Sequence, residues 1–222
     1  RSVYPAQSVL DIGCADGTWL SVFRSHGVTE IKGVDGPWVP QDELQISGDA
    51  FQEWDLSNDS PSIDNRFDLA TCIEVIEHLS DDAGRRLLGT LTKAAPVILF
   101  SAAVPHQRGT GHINERRQSY WQQQFAEHGF ICFDPIRPLI WEKDAVNVIY
   151  RQNMLVYVDD SRTDIVECFA DYQAIDQTLV DIIYPELYEL RMNEAVQLQT
   201  SVKRLSRSLL AAIRMKLAGL RR

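Results

Sequence analysis

Apolar and polar positions alternate along this chain with more than one period, and each change of period marks an element. Val9–Ile12, Ile31–Val34, Phe67–Ile73 and Val97–Ser101 are short, mostly apolar runs, the pattern of strands covered on both faces. Leu44–Ser47 is a weaker run of the same kind. Thr18–Ser25 and Asp81–Lys93 carry apolar residues at helical spacing; Ser80 is placed to cap the second, Asp81 and Asp82 suit its N-terminus, and Pro96 stops it. Gln118–His128 reads as a further helix ending before Gly129. Phe130–Phe133 and Met154–Val158 read as a late, hairpin-like pair of strands around an irregular or helical insert, Trp141–Tyr150. Strands alternating with helices predict an α/β chain built on a doubly wound, mostly parallel, seven-stranded sheet over residues 1–160.

The pattern changes again in residues 161–222, where a helical extension is expected. Ile165, Phe169, Tyr172, Ile175, Leu179 and Ile182 recur at helical spacing, and Pro185 breaks or restarts that helix. A second stripe follows: Val202, Leu205, Leu209, Ile213, Leu217 and Leu220, with Arg207, Arg214 and Arg221 on the far side. Lys216 and Gly219 interrupt the heptad. Residues 203–222 hold seven Lys/Arg and no Asp/Glu, although the whole chain carries a net charge of −9. Such a basic amphipathic helix is expected to self-associate, lead to another domain, touch an anionic membrane, or pack on the acidic catalytic body. The acidic body disfavours bulk nucleic-acid binding. Cys14, Cys72, Cys132 and Cys168 are scattered, with neither thiolate-zinc spacing nor a disulfide framework, which fits a cytoplasmic chain, soluble or peripheral to the membrane. The chain starts almost at its first strand, so a further helix or domain is expected before Arg1.

The most informative stretch is Asp11-Ile12-Gly13-Cys14-Ala15-Asp16-Gly17, where a strand turns sharply into a helix. Gly13 and Gly17 allow the tight turn. A pyrophosphate-binding turn reads G-x-G-x-x-G and wants bare N–H groups; Asp11 and Asp16 suit a cationic ligand instead, such as the sulfonium and ammonium of S-adenosylmethionine. Asp35, closing the second strand, is placed for the ribose hydroxyls, and Asp49, in Gly48-Asp49-Ala50, for the adenine amino group.

On these motifs, with Phe67-Asp68-Leu69 and Glu74-Val75-Ile76-Glu77-His78-Leu79, residues 8–158 resemble a class I S-adenosylmethionine-dependent methyltransferase of Rossmann-like fold. Ala15 departs from the glycine common at that position. The resemblance implies cofactor contacts from Asp11, Gly13, Ala15, Asp16, Gly17, Asp35, Asp49, Ala50, Ile73 and Glu74.

Methyl transfer to a hydroxyl requires an aligned acceptor and removal of its proton. Glu74-x-x-Glu77-His78 and the glycine-rich loop Pro105–Asn114 should face one pocket, because both follow strands that end at the cofactor edge. Glu-x-x-Glu-His resembles half of the divalent-metal site of small-RNA 2′-O-methyltransferases and ubiquinone-pathway O-methyltransferases. On that resemblance Glu74, Glu77, His78 and His112 would hold Mg²⁺ or Mn²⁺. The other reading has the string shape the cofactor pocket without metal, with Glu77, His78 and His112 the catalytic groups and either histidine the base. His106–Asn153 also resembles methyltransferase domains of surface-glycan biosynthesis. Tyr120, Trp121, Trp141 and Tyr150 would offer faces to a sugar, and Asn114, Glu115, Gln152 and Asn153 would bind its hydroxyls. The expected function is O-methylation of a sugar or glycan hydroxyl. The alternatives are a quinone-type small-molecule O-methyltransferase and a non-catalytic adenosyl-ligand scaffold.

Overall fold

The computed structural model describes residues 3–59, 61–172, 175–176 and 179–219, with side chains as far as Leu210. Seven strands form one sheet: β1 (Ser8–Ile12), β2 (Glu30–Asp35), β3 (Phe51–Glu53), β4 (Leu69–Ile73), β5 (Val97–Ser101), β6 (Phe130–Phe133) and β7 (Leu155–Asp159). Their order is β3-β2-β1-β4-β5-β7-β6. β1 to β5 are parallel, and β7 runs antiparallel to both β5 and β6. The helices are α1 (Thr18–Ser25), α2 (Asp81–Ala94), α3 (Gln118–Glu127), α4 (Arg137–Ile140), α5 (Val148–Asn153), α6 (Thr163–Val166) and α7 (Pro185–Gly219). The chain steps outward from β1 to β3, then returns to lay β4 against the other side of β1. That reversal opens a crevice beyond the carboxyl ends of β1 and β4, where α/β sheets bind ligands.

Every residue of β5 is buried. Ile98 and Phe100 join the large core with Leu87, Leu91, Trp121 and Phe125, whereas Val97 and Leu99 join the opposite core with Val156, Val158, Ile165 and Phe169. The run Val-Ile-Leu-Phe is continuous in sequence because its two faces feed two cores. α2 begins as expected, with Ser80 Oγ accepting a hydrogen bond from the Ala83 N–H and Asp81 and Asp82 in the first turn.

Two expected elements form elsewhere. The third strand is Phe51–Glu53, not Leu44–Ser47. Leu44–Ser47 turns inward so that Ile46 fills the space above Gly17 and Gly33, while Phe51–Glu53 pairs with Gly33–Asp35 of β2. Among the described residues, the helical spacing over 165–182 yields α6 and a 3-10 turn at Glu167–Phe169. Beyond it the described backbone lies along α3: Gln122 Nε2 donates to the Ile175 carbonyl, Gln118 Nε2 to the Ile182 carbonyl, and Asp181 accepts from the Ser119 N–H and hydroxyl. Side chains from α3 thus supply the partners a helix would have supplied itself.

The chain divides into two compact units, Arg1–Ile182 and Ile183–Arg222, so residues 161–182 fall in the first. The stripe residues Ile213 and Leu217, and Arg214, lie beyond the described side chains, and Leu220 and Arg221 beyond the described residues. Among the described residues no helix is long and apolar enough to cross a membrane.

Candidate active site

The turn after β1 follows from its glycines. Gly13 has φ +79° and Gly17 φ +81°, a region open to glycine at little cost. A Cβ on Gly13 would lie 2.2 Å from Val75 Cγ2, so the position also admits nothing larger. Ala15 takes φ +47° without being glycine, and its N–H donates to Asp35 Oδ2 at 2.7 Å. Asp35 Oδ1 accepts from the Gly36 N–H, also at 2.7 Å. Asp35 therefore locks the turn to the end of β2 and keeps unused lone pairs on the same carboxylate.

The other predicted acids divide. Asp11 is buried beneath the turn; Thr71 Oγ1 donates to its Oδ1 at 2.6 Å and Oδ2 has no hydrogen-bond partner. Burial, with a smaller push from the Asp35 charge, raises its pKa to about 7 against the lowering effect of Thr71. Asp16 accepts from the Thr18 N–H and hydroxyl, tying off the start of α1. Asp49 is exposed in a 3-10 turn before β3, and Ala50 packs into the core against Leu20. Ile73 packs on the opposite face of the sheet with Val97 and Leu99.

A cavity of about 490 Å³ sits at the crevice. Gly13, Ala15 and Asp35 form one wall, and Glu74, Val75, His78 and Leu79 another. Trp38 and the segment Asp55–Ser57 complete it. Of the expected cofactor contacts, Asp11, Asp16, Gly17, Asp49, Ala50 and Ile73 are thus not in the cavity wall. The place expected for Asp49 is taken by Asp55 and Leu56, which follow the true β3. The available signal was an acid, Asp55, two residues beyond the run Phe51–Glu53, much as Asp35 closes β2. Asp55 accepts from the Ser57 N–H and hydroxyl and from Asn58 Nδ2, closing a turn that presents Leu56 and Ser57. Trp38 is 63% exposed, and its indole lies where a Cβ on Gly36 would stand, 2.2 Å away.

The non-glycine residues at positive φ among those described are Ala15, Glu74, His106 and Arg108. They lie on the loops after β1, β4 and β5, so backbone strain collects at this edge of the sheet. Glu74 is held by amides: Oε2 accepts from Gln107 Nε2 at 2.8 Å and Oε1 from Asn153 Nδ2 at 3.1 Å. Gln152 Nε2 donates in turn to Asn153 Oδ1.

Glu77 is fully buried and neither carboxylate oxygen has a hydrogen-bond donor. Burial first, then the nearby Glu74 charge, pushes its pKa well above the usual carboxylate range. Its carbonyl accepts from the Ile113 and Asn114 N–H groups, which brings the long loop after β5 over the end of β4. His78 and His112 then meet edge to face, ring centroids 4.8 Å apart. Burial and the proximity of His112 lower the His78 pKa. His112 Nδ1 lies 3.1 Å from Glu115 Oε1, which orients the ring. Gly109 is required beside it, since a Cβ there would stand 2.1 Å from His112 Nε2. One ligand atom each from Glu77, His78 and His112 lies within 4.8 Å of the others, a group that does not include Glu74.

The residues expected to meet a sugar divide: Tyr120, Trp141, Tyr150 and Glu115 are half-buried, and the others are buried. Trp121 is core, packed on Phe100. Gln152 and Asn153 are buried around Glu74, and buried Asn114 accepts from Arg116. Tyr120 donates its hydroxyl to Asp81.

A family model described as a methyltransferase domain matches residues 5–148. A ubiquinone biosynthesis O-methyltransferase of Neisseria meningitidis serogroup C is 26% identical over 149 residues, covering 61% of this chain and 56% of that protein. Its serogroup A counterpart is also 26% identical, covering 62% of this chain and 57% of its own. The chain thus spans somewhat over half the length of these relatives. An O-methyltransferase family protein from Burkholderia thailandensis has the same fold, with TM-score 0.51 and 12% identity over 71% of this chain and 52% of that one. So does the magnesium protoporphyrin IX methyltransferase of Synechocystis, solved with bound SAM, with TM-score 0.50 and 17% identity over 69% and 70%.

Proposed function

This chain belongs to the methyltransferase-domain family, and on that premise we propose that it transfers a methyl group from S-adenosylmethionine to a hydroxyl of a small phenolic or quinol-type acceptor. The residues present fit the cofactor. Gly13 brings backbone with no side chain of its own to the cavity wall, where a ligand can approach closely. Asp35 retains acceptor capacity for ribose hydroxyls, and Leu56 and Trp38 offer apolar faces to a purine. The bound cofactor supplies a methyl group activated by its sulfonium.

The observation that carries the reading is the pair of imidazoles at the cavity. His78 lines it, and His112, edge-on to His78, is steered by Glu115. A neutral imidazole there holds an acceptor hydroxyl and removes its proton as the oxygen attacks. The relatives named for ubiquinone biosynthesis favour a phenolic ring, and the burial of Trp121, Gln152 and Asn153 removes three of the residues a sugar would have used.

A divalent cation also fits the donor set of Glu77, His78 and His112, because the Glu77 carboxylate is buried without a donor. These three residues would hold it, and it would lower the pKa of an acceptor oxygen. Two imidazoles favour Mn²⁺ or a similar ion over Mg²⁺. Glu77 would have to lose its proton, so affinity would rise with pH.

S-adenosylhomocysteine formation on catechols and on sugars, with and without EDTA, tests this. Turnover on a catechol is expected, with His112→Ala reducing kcat at least about 100-fold and leaving cofactor affinity unchanged. Cofactor binding with no turnover on any acceptor would favour the scaffold alternative. Turnover on sugars alone would restore the glycan reading, and full activity in EDTA would remove the metal.

A further inference from the structure

α7 runs as one helix of 35 residues, and the described apolar side chains of its middle stand exposed. Leu198, Val202, Leu205 and Leu209 are each more than half exposed. With Ala195 they recur at alternating steps of three and four, a seam of a and d positions. Propensity alone does not keep a helix of this composition formed in water; burial of its stripe does.

The flanks of the seam indicate what covers it. Gln199, Ser201, Ser206 and Ser208 border it, short or neutral side chains that let another helix approach closely. Lys203, Arg204 and Arg207 lie toward the outer side. A helix lying in an anionic bilayer would carry its cations along the flanks, within reach of the headgroups. Charge also divides along the axis, with Glu186, Glu189 and Glu194 against a single Arg191 in the first half, and Lys203, Arg204 and Arg207 in the second.

We propose that α7 pairs with α7 of a second copy of this chain, antiparallel. A parallel, in-register pair would set the basic half beside its own copy. An antiparallel pair matches a positions to d positions, which places Ala195 opposite Leu205 and Leu198 opposite Val202, and brings Glu194 level with the Arg204–Arg207 stretch. Small meets large in the outer layers, and acidic meets basic along the axis. This pairing does not depend on the reaction the first unit performs.

Sedimentation equilibrium of the full chain should show a dimer. Leu198→Glu with Leu205→Glu should weaken it at least about 100-fold, the effect of two buried charges in a seam. Thr200→Glu, on the outer face, should leave it unchanged. Orientation is read by mixing two chains in a Cys168→Ser background, Cys168 being the exposed cysteine. An Ala195→Cys chain and a Leu205→Cys chain should form the mixed disulfide in preference to either homodisulfide. A monomer at all concentrations, predominant homodisulfides, or a monomeric chain whose stripe binds anionic phospholipid vesicles would each overturn the proposal.

Discussion

Replacing Gly13 by alanine imposes two separable costs. The first is conformational: an L side chain at φ +79° costs about 1 kcal/mol. The second is steric, because the new Cβ would stand 2.2 Å from Val75 Cγ2 and 2.9 Å from Cγ1, and overpacking of that kind costs roughly 1–3 kcal/mol. Their sum, about 2–4 kcal/mol, is a large part of the roughly 5–15 kcal/mol that holds a domain together. Urea unfolding should report the loss through an unchanged m-value and a lower midpoint. The double variant Gly13→Ala/Val75→Ala isolates the steric part: with the methyls gone, the two changes should couple favourably by about 1–3 kcal/mol, leaving the conformational cost. Gly48→Ala serves as control, since a Cβ at Gly48 meets nothing within 4 Å. A Gly13→Ala chain within about 0.5 kcal/mol of the parent, or a coupling near zero, would refute the reasoning.

The buried Asp11 carboxyl has its pKa raised from 3.8 to about 7, so the folded state binds the extra proton. Stability should fall as pH rises between those values, by at most about 1.4 kcal/mol per unit. Asp11→Asn should flatten that slope in thermal melts from pH 5 to 8, and an unchanged slope would place its source elsewhere. Asp35→Ala removes the acceptor of the Ala15 and Gly36 N–H groups and should weaken S-adenosylmethionine binding by calorimetry about 10-fold or more, since two hydrogen bonds to a charged group are lost. Wild-type affinity would contradict the clamp. Ser80→Ala deletes the α2 cap and should cost about 1 kcal/mol with no change in cofactor affinity; a stability loss within error would show that the cap contributes little.

The alternation of apolar runs and helical stripes determined the α/β class, most strand positions and the glycine turn. These are local consequences of burial on two faces and of the one residue type that tolerates the turn. The Glu-x-x-Glu-His string, the glycine-rich loop and the resemblance they carry brought Glu77, His78 and His112 forward as chemistry-bearing residues. Their meeting was not local: it depends on the Ile113 and Asn114 N–H groups reaching the Glu77 carbonyl. Only the tertiary structure showed that β3 begins at Phe51, because pairing with Gly33–Asp35 outweighs the pattern at Leu44–Ser47. That shift moved the cavity wall from Asp49 to Asp55 and Leu56. It also showed that Trp121, Gln152 and Asn153 are buried, since a sequence gives a residue's chemistry but not which side of a packed element it faces. The segment after Asp164 makes the same point. Its spacing suits a helix, but side chains of α3 satisfy its Ile175 and Ile182 carbonyls in another conformation, and no pattern within the segment itself records those distant partners.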